Sequence, residues 1–154
     1  MGTTMSFKST ILCIGLAVSF VGCESLPISI SVPSIQSGQT QDASLLTGHW
    51  QGSYICSQGI TGLTVKLQGN KNGDVMGLFE FYPLPQNPSI LAGTYTVSGK
   101  YLANNQLLLS PVNWVNRPSN YIMVSLNGRA STTHFNGVSP ECESKKFNLT
   151  RKSS

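Results

Sequence analysis

The side chains able to do chemistry are few and scattered. Cysteine stands at Cys13, Cys23, Cys56 and Cys142, histidine at His49 and His134, and the six carboxylates are Glu24, Asp42, Asp74, Glu80, Glu141 and Glu143. Neither histidine lies at a metal-ligand spacing from a cysteine, and no His-Glu-x-x-His, Gly-x-Ser-x-Gly or phosphate-binding glycine loop occurs. Glu141 and Glu143 bracket Cys142, where a solvated loop accounts for them better than a carboxylate pair for glycoside hydrolysis. Glu80 lies between Phe79 and Phe81, so strand alternation turns it outward, away from both rings. His134 shares a strand face with Thr132 and reads as a surface histidine rather than a general base. The expectation is therefore a noncatalytic protein without metal or cofactor, with a small hydrolase as the remotest alternative.

The elements that would carry these residues fall into three segments. From Met1 to Cys23 the only charge is Lys8, followed by the apolar run Ile11 to Val21 and then Gly22-Cys23. A short basic region, an apolar core of about ten residues and a small residue at the cut are the parts of a secretory signal. A membrane-spanning helix needs about 20 apolar residues, and Glu24 and Pro27 end this run too soon. Residues 24 to about 44 are rich in Ser, hold Pro27 and Pro33, and lack aromatic residues. Such a segment has too little apolar surface to offset its ordering entropy. As a flexible coil it spans roughly 25 Å. The alternation Ile28, Ile30, Val32 keeps an added edge strand open as the alternative.

After Leu45 the pattern becomes two-residue alternation interrupted by turn residues every eight to twelve positions, the signature of sandwiches and barrels. Strands are expected near 48–57, 61–69, 74–82, 91–98, 106–110, 120–127, 131–137 and 145–152. Asn70 to Asp74 and Asn127-Gly128 both supply hairpin reversals. Pro83, Pro85 and Pro88 mark a longer loop, and Pro111 and Pro118 bracket a second one that contains Trp114. The fold class is all-β: a small antiparallel eight-stranded barrel, with the chain divided into 1–22, 23–45 and 46–154. Irregular loops on a rigid scaffold concentrate binding sites. The expected recognition surface is thus Trp114, Arg117 and Tyr121 together with the loop from Pro83 through Pro85 to Pro88.

Phe20-Val21-Gly22-Cys23 resembles the lipobox of bacterial lipoproteins. That resemblance implies cleavage before Cys23 and diacylglycerol on its thiol. Two or three acyl chains, at roughly 0.8 kcal/mol per buried methylene, make a stable membrane anchor. Glu24 after the anchor resembles sorted lipoproteins, which in a Gram-negative host implies the outer membrane rather than retention at the inner one. With Cys13 removed and Cys23 acylated, Cys56 and Cys142 remain in an oxidising compartment, where one disulfide is expected, a metal site or catalytic thiol being the alternative.

Gly48-His49-Trp50 on the first strand and Arg151 on the last resemble the calycin-like barrels, which place a Trp at one barrel end under an Arg from the final strand. A guanidinium lying on an indole gains a cation–π contact and shields apolar surface. Trp50 as an ordinary core aromatic is the alternative. Tyr54-Ile55-Cys56 is similar to the first strand of lipoprotein inhibitors of C-type lysozyme. That likeness implies a Ser-Gly loop at Ser98-Gly99-Lys100, with Ser98 and Lys100 meeting lysozyme's carboxylates. The chain as a whole also resembles a recurring bacterial domain of unknown function, through Trp50, Cys56, Gly59, Gly62, Leu63, Phe79, Phe81, Gly93, Pro111, Trp114, Pro118, Tyr121, Gly128, Cys142 and Arg151.

The formal charge of +4 falls by one when Lys8 leaves with the leader. The cluster Lys145, Lys146, Arg151 and Lys152 lacks interleaved aromatics, so nucleic acid is not an expected partner. The expected function is an envelope lipoprotein facing the periplasm that binds an envelope protein or glycan or serves structurally. The alternative is an inhibitor of a lysozyme-like hydrolase.

Overall fold

The computed structural model describes residues 38–153. The expected signal segment, the expected anchor Cys23 and the Ile28, Ile30, Val32 alternation lie outside the described residues. Eight strands, β1 (Gly48–Cys56), β2 (Gly59–Gly69), β3 (Asp74–Tyr82), β4 (Gly93–Leu102), β5 (Gln106–Asn116), β6 (Leu126–Ala130), β7 (His134–Ser139) and β8 (Lys145–Arg151), form a closed antiparallel barrel. Each strand pairs with its sequence neighbours, and β1 meets β8 from Trp50↔Arg151 to Tyr54↔Phe147. The inward positions hold Trp50, Leu63, Val65, Phe79, Tyr95, Leu107, Leu109, Leu126, Phe135 and Leu149, all essentially without exposure. The interior is therefore a packed core rather than a ligand cup.

So short a barrel closes only if its strands bend sharply, and inward-facing glycines allow this. A Cβ at Gly52 would lie 1.9 Å from the Asn148 carbonyl oxygen, and one at Gly99 would lie 1.7 Å from that of Leu108. The neighbouring backbone occupies the place where a side chain would stand.

One end of the barrel is sealed by the Trp50–Arg151 pair. The Arg151 guanidinium lies 5.6 Å from the Trp50 ring centroid and donates to the Leu45 carbonyl at 2.6 Å and to the Thr47 carbonyl. Trp50 Nε1 donates to the Leu46 carbonyl at 2.9 Å. Gly48, at φ +147°, leaves room for the guanidinium, which would stand 3.1 Å from a Cβ there. The pairing of Trp50 with Arg151 at one barrel end, expected from these residues, is thus present.

Four expectations are corrected. The tether was expected to run to residue 45, yet residues 39–46 are packed against the sealed end: Gln41 N–H donates to the Tyr101 carbonyl, Ala43 N–H donates to that of Asn70, and Ala43 and Leu46 are fully buried. Two buried apolar residues, Ala43 and Leu46, and backbone hydrogen bonds hold a segment whose composition looks like linker. Asn127-Gly128 is not a reversal; it lies within β6, paired with Leu108 and Leu107 on one side and with Val138 and Gly137 on the other. Pro111 and Trp114 are not in a loop, because β5 continues to Asn116 along β4. Pro111 is tolerated because β6 reaches only as far as Leu109, so Pro111 lies where β5 has become an edge. The strand expected at 120–127 begins instead at Leu126.

Cys56 and Cys142 form the expected disulfide across a sequence separation of 86. Loop-closure entropy at that length stabilises the fold by up to about 4 kcal/mol. Replacing Arg151 with Met removes the charge and its carbonyl partners while keeping most of the stem. Chemical denaturation is expected to show a loss of about 2 kcal/mol with an unchanged denaturant slope.

Candidate functional site

At the end opposite the Trp50 seal, an aromatic column runs from core to surface. Phe79 stacks on Tyr95 with centroids 4.4 Å apart, and Tyr95 meets Trp114 edge-on at 5.2 Å. Phe81 stacks on Tyr121 at 5.4 Å. Trp114 faces in because β5 bulges: Tyr95 pairs with Trp114 but Val97 with Pro111, so β5 uses one residue more than β4 across that interval. The Thr96 hydroxyl fills the bulge, accepting from Asn113 N–H at 3.1 Å and donating to the Asn113 carbonyl at 3.3 Å. This reset in phase turns the indole into the barrel mouth.

Residues 117–125 then cross the mouth instead of extending β6. Tyr95 Oη donates to the Val124 carbonyl at 2.9 Å and accepts the Val124 N–H at 3.1 Å. Burial pushes the Tyr95 hydroxyl pKa well up, so it stays protonated and able to donate. The crossing is pinned at its far side by Glu141, whose carboxylate accepts from Ser125 N–H at 2.9 Å and from the Ser125 hydroxyl at 2.7 Å. The disulfide holds the adjacent residue, Cys142, against β1. The Pro-rich loop, residues 83–92, closes the rest of the rim. Its Asn87 side-chain amide donates to the Gln58 and Ile60 carbonyls, and Leu91 N–H donates to the Tyr121 hydroxyl at 3.2 Å.

The expected recognition residues are brought to this one end. Trp114 and Tyr121 are half-buried in the rim, the Arg117 guanidinium stands 5.8 Å from the Trp114 ring, and Pro83 and Pro85 are exposed on the neighbouring loop. Sequence reasoning missed Leu91, Val115 and Ile122, which are 52%, 65% and 64% exposed around the same mouth. It also missed the tie between Glu141 and Ser125, since the loop around Glu141 carries no pattern that names its partner. Glu143, by contrast, is solvated and pairs with Lys145 at 3.2 Å.

A cleft of about 160 Å³ lies between Tyr54, Gln58, Asn120 and Tyr121. Burial pushes the Tyr54 hydroxyl up to about 12, and it accepts from the Gln58 amide at 3.1 Å. A larger, open cleft of about 370 Å³ lies toward the sealed end, between His49, Lys66, Met76 and Leu78. The cation of this cleft, Lys66, is already paired with Glu80 at 3.2 Å. No group of three His, Cys, Asp or Glu that could hold a metal occurs among the described residues. His134 Nδ1 lies 2.9 Å from the hydroxyl of its neighbour Thr133 on an exposed turn.

Ser98 and Lys100 do not form a loop. Both lie within β4, paired with Met76 and Asp74 on β3 and with Ser110 and Leu108 on β5, and the Lys100 ammonium is bonded to Asp74. The geometry expected for insertion into a lysozyme cleft is absent at these residues, because the chain reverses only after Leu102.

The fold and its rim define a closed, meandering barrel with a filled interior and one loop-bearing end. The chain matches no protein-family model, no curated protein and no solved structure.

For Glu141, burial acts to raise the pKa, but the hydrogen bonds from Ser125 and Ser139 together outweigh it, and the folded value lies below the ordinary 4.5. A depressed folded value contributes stability that is complete above the unfolded value and fades as pH falls through the folded one. Thermal melts of Glu141→Gln are expected to lose midpoint at pH 7, and the gap from the native chain is expected to narrow below about pH 4.

Proposed function

We propose that the chain is a noncatalytic binding module of a bacterial envelope, anchored through acylated Cys23 in the outer membrane and facing the periplasm. Recognition is assigned to the rim built on Trp114, Arg117 and Tyr121. The observation that carries this reading is the location of the uncovered aromatic and apolar surface. Leu91, Val115 and Ile122 stand exposed beside a half-buried indole and the Arg117 guanidinium that lies over it, at the end away from residues 39–46. A chain held through its N-terminal side presents that end outward.

The composition of the rim suits an envelope protein or glycan. Residues 83–92 and 117–125 contain one charge between them, Arg117. Half-buried indole and phenol groups that are already ordered lose little entropy on contact, and Trp, Tyr and Arg side chains dominate binding energy at interfaces. The filled interior excludes a lipocalin-like cavity as the binding place, and the carboxylate nearest the rim, Glu141, is engaged by Ser125.

The test uses the full chain in its native host, cross-linked before extraction. Native chain is expected to fractionate with membranes and to retain an envelope partner that the double variant Arg117→Glu, Ile122→Asp loses, with the melting midpoint unchanged. Cys23→Ala is expected to move the chain to the soluble fraction. Equal partner recovery by the double variant contradicts the rim, and membrane retention of Cys23→Ala contradicts the anchor.

A further inference from the structure

The cleft of about 160 Å³ beside the rim is bounded by Tyr54 on β1, by Ser57 and Gln58 in the turn that follows, and by Asn120, Tyr121 and Ile122 of the crossing. No charged side chain lines it. Its hydrogen-bonding groups are only partly engaged. The Thr61 hydroxyl donates to the Gly59 carbonyl at 3.2 Å, so toward Gln58 it accepts. One amide hydrogen of Gln58 goes to Thr61 at 3.4 Å and the other to Tyr54 Oη at 3.1 Å. Both amide hydrogens are thereby used, and the Gln58 carbonyl oxygen has no donor among the described residues. Since no buried side-chain nitrogen or oxygen lacks a partner, that oxygen is open to solvent. The Tyr54 hydroxyl is the complement. Its residue is only 3% exposed, its oxygen accepts from Gln58, and its own hydrogen has no acceptor among the described residues. Burial keeps this hydroxyl protonated. The Asn120 amide and the Ser57 hydroxyl, on the exposed wall of the cleft, make no side-chain hydrogen bond among the described residues either.

A donor and an acceptor side by side, without charge, suit a ligand whose own groups both donate and accept, as hydroxyls do. An anion finds no cation among the lining residues, and a metal ion finds no carboxylate. An acyl chain would leave the Tyr54 hydrogen and the Gln58 oxygen unpaired. The Tyr121 ring, stacked on Phe81 with centroids 5.4 Å apart, adds an ordered aromatic surface whose π face attracts weakly positive C–H groups.

We propose that this cleft binds one neutral sugar ring, with neighbouring hydroxyls on Tyr54, Gln58 and Asn120 and its C–H groups on Tyr121. The proposal narrows the rim reading to a glycan ligand and rests on that reading for the source, a glycan of the envelope. Ser57, Asn120 and Ile122 are exposed, so the cleft opens at the surface and the bound ring can belong to a longer chain.

The test titrates the full chain, solubilised in a detergent without sugar headgroups, with the methyl glycosides of glucose, galactose, mannose and N-acetylglucosamine. The NMR shift of the Gln58 side-chain amide is the readout. At least one glycoside is expected to give a saturable shift with Kd on the order of millimolar, the range for so small a ligand. The affinity is expected to be the same at low and physiological salt, because no charge takes part. Asn120, at φ +63°, is replaced by Gly, which adopts that conformation freely and removes only the side chain. Tyr54→Phe keeps the ring and removes the donor. Each variant is expected to bind roughly tenfold more weakly, with the rest of the amide spectrum unchanged. No saturable shift with any glycoside overturns the proposal, as does native affinity in both variants. Tighter binding of glucuronate than of the neutral glycosides, fading with salt, also overturns it. An oligosaccharide of the preferred sugar is expected to bind at least as tightly as its glycoside, and its exclusion overturns the assignment to a glycan chain. If no sugar binds while the Arg117→Glu, Ile122→Asp chain still loses its envelope partner, the sugar falls and the rim stands.

Discussion

Closing a ring of eight short strands is the constraint on which the rest of the molecule depends. Once β1 pairs with β8, every strand has two neighbours, and the interior becomes a fixed volume that side chains must fill. Glycines at inward positions let the strands bend enough to close, while Trp50, Phe79, Tyr95 and Phe135 fill what remains. The two ends then meet different fates. One is sealed by Arg151 on Trp50, and by the carbonyls of the preceding segment that the guanidinium gathers. The other has no such plug and is covered by a chain crossing pinned at Tyr95 and Glu141.

That asymmetry links packing to function. A filled barrel has no internal cup, so its binding capacity is confined to what the strands carry to their ends and walls. The aromatic column makes the open rim rigid, since Trp114 and Tyr121 are held by Tyr95 and Phe81 rather than standing free. The same crossing that completes the rim also takes residues 117–125 away from β5, leaving an edge without a neighbour. Rim and edge meet on the same stretch of β5, which past the last β6 pair at Leu109 bulges against β4 between Pro111 and Trp114.

Much of the barrel was legible in the sequence because its strands alternate cleanly. Phe79 and Phe81 on one face with Glu80 on the other, and the Asn70 to Gly73 turn, left little room for another reading. The Gly48, Trp50 and Arg151 resemblance located the sealed end, and cysteine counting located the disulfide. Errors collected where tertiary contacts override local pattern. Asn127-Gly128 has the chemistry of a turn but sits between two strands that need a small inward residue at Gly128. The run Tyr121, Ile122, Met123, Val124 looks like a strand, but its Val124 backbone groups bond to the Tyr95 hydroxyl instead of to β5. Pro111 reads as a strand breaker, and the absence of a second neighbour makes it harmless. Residues 39–46 read as tether because a backbone bonded to distant carbonyls leaves no mark on composition. The rim was found through its aromatic residues and prolines. Its exposed aliphatic residues were not, since exposure is set by where the crossing lies.

The proposed role depends on the open rim being the face that meets other molecules in the envelope. Site-specific photo-crosslinking in living cells tests this directly, with the probe placed in turn at Ile122 on the rim and at Met76, an equally exposed residue toward the sealed end, 62% exposed against 64%. A discrete covalent adduct is expected from the probe at Ile122 and none from the probe at Met76. Adducts from Met76 with none from Ile122 would contradict it.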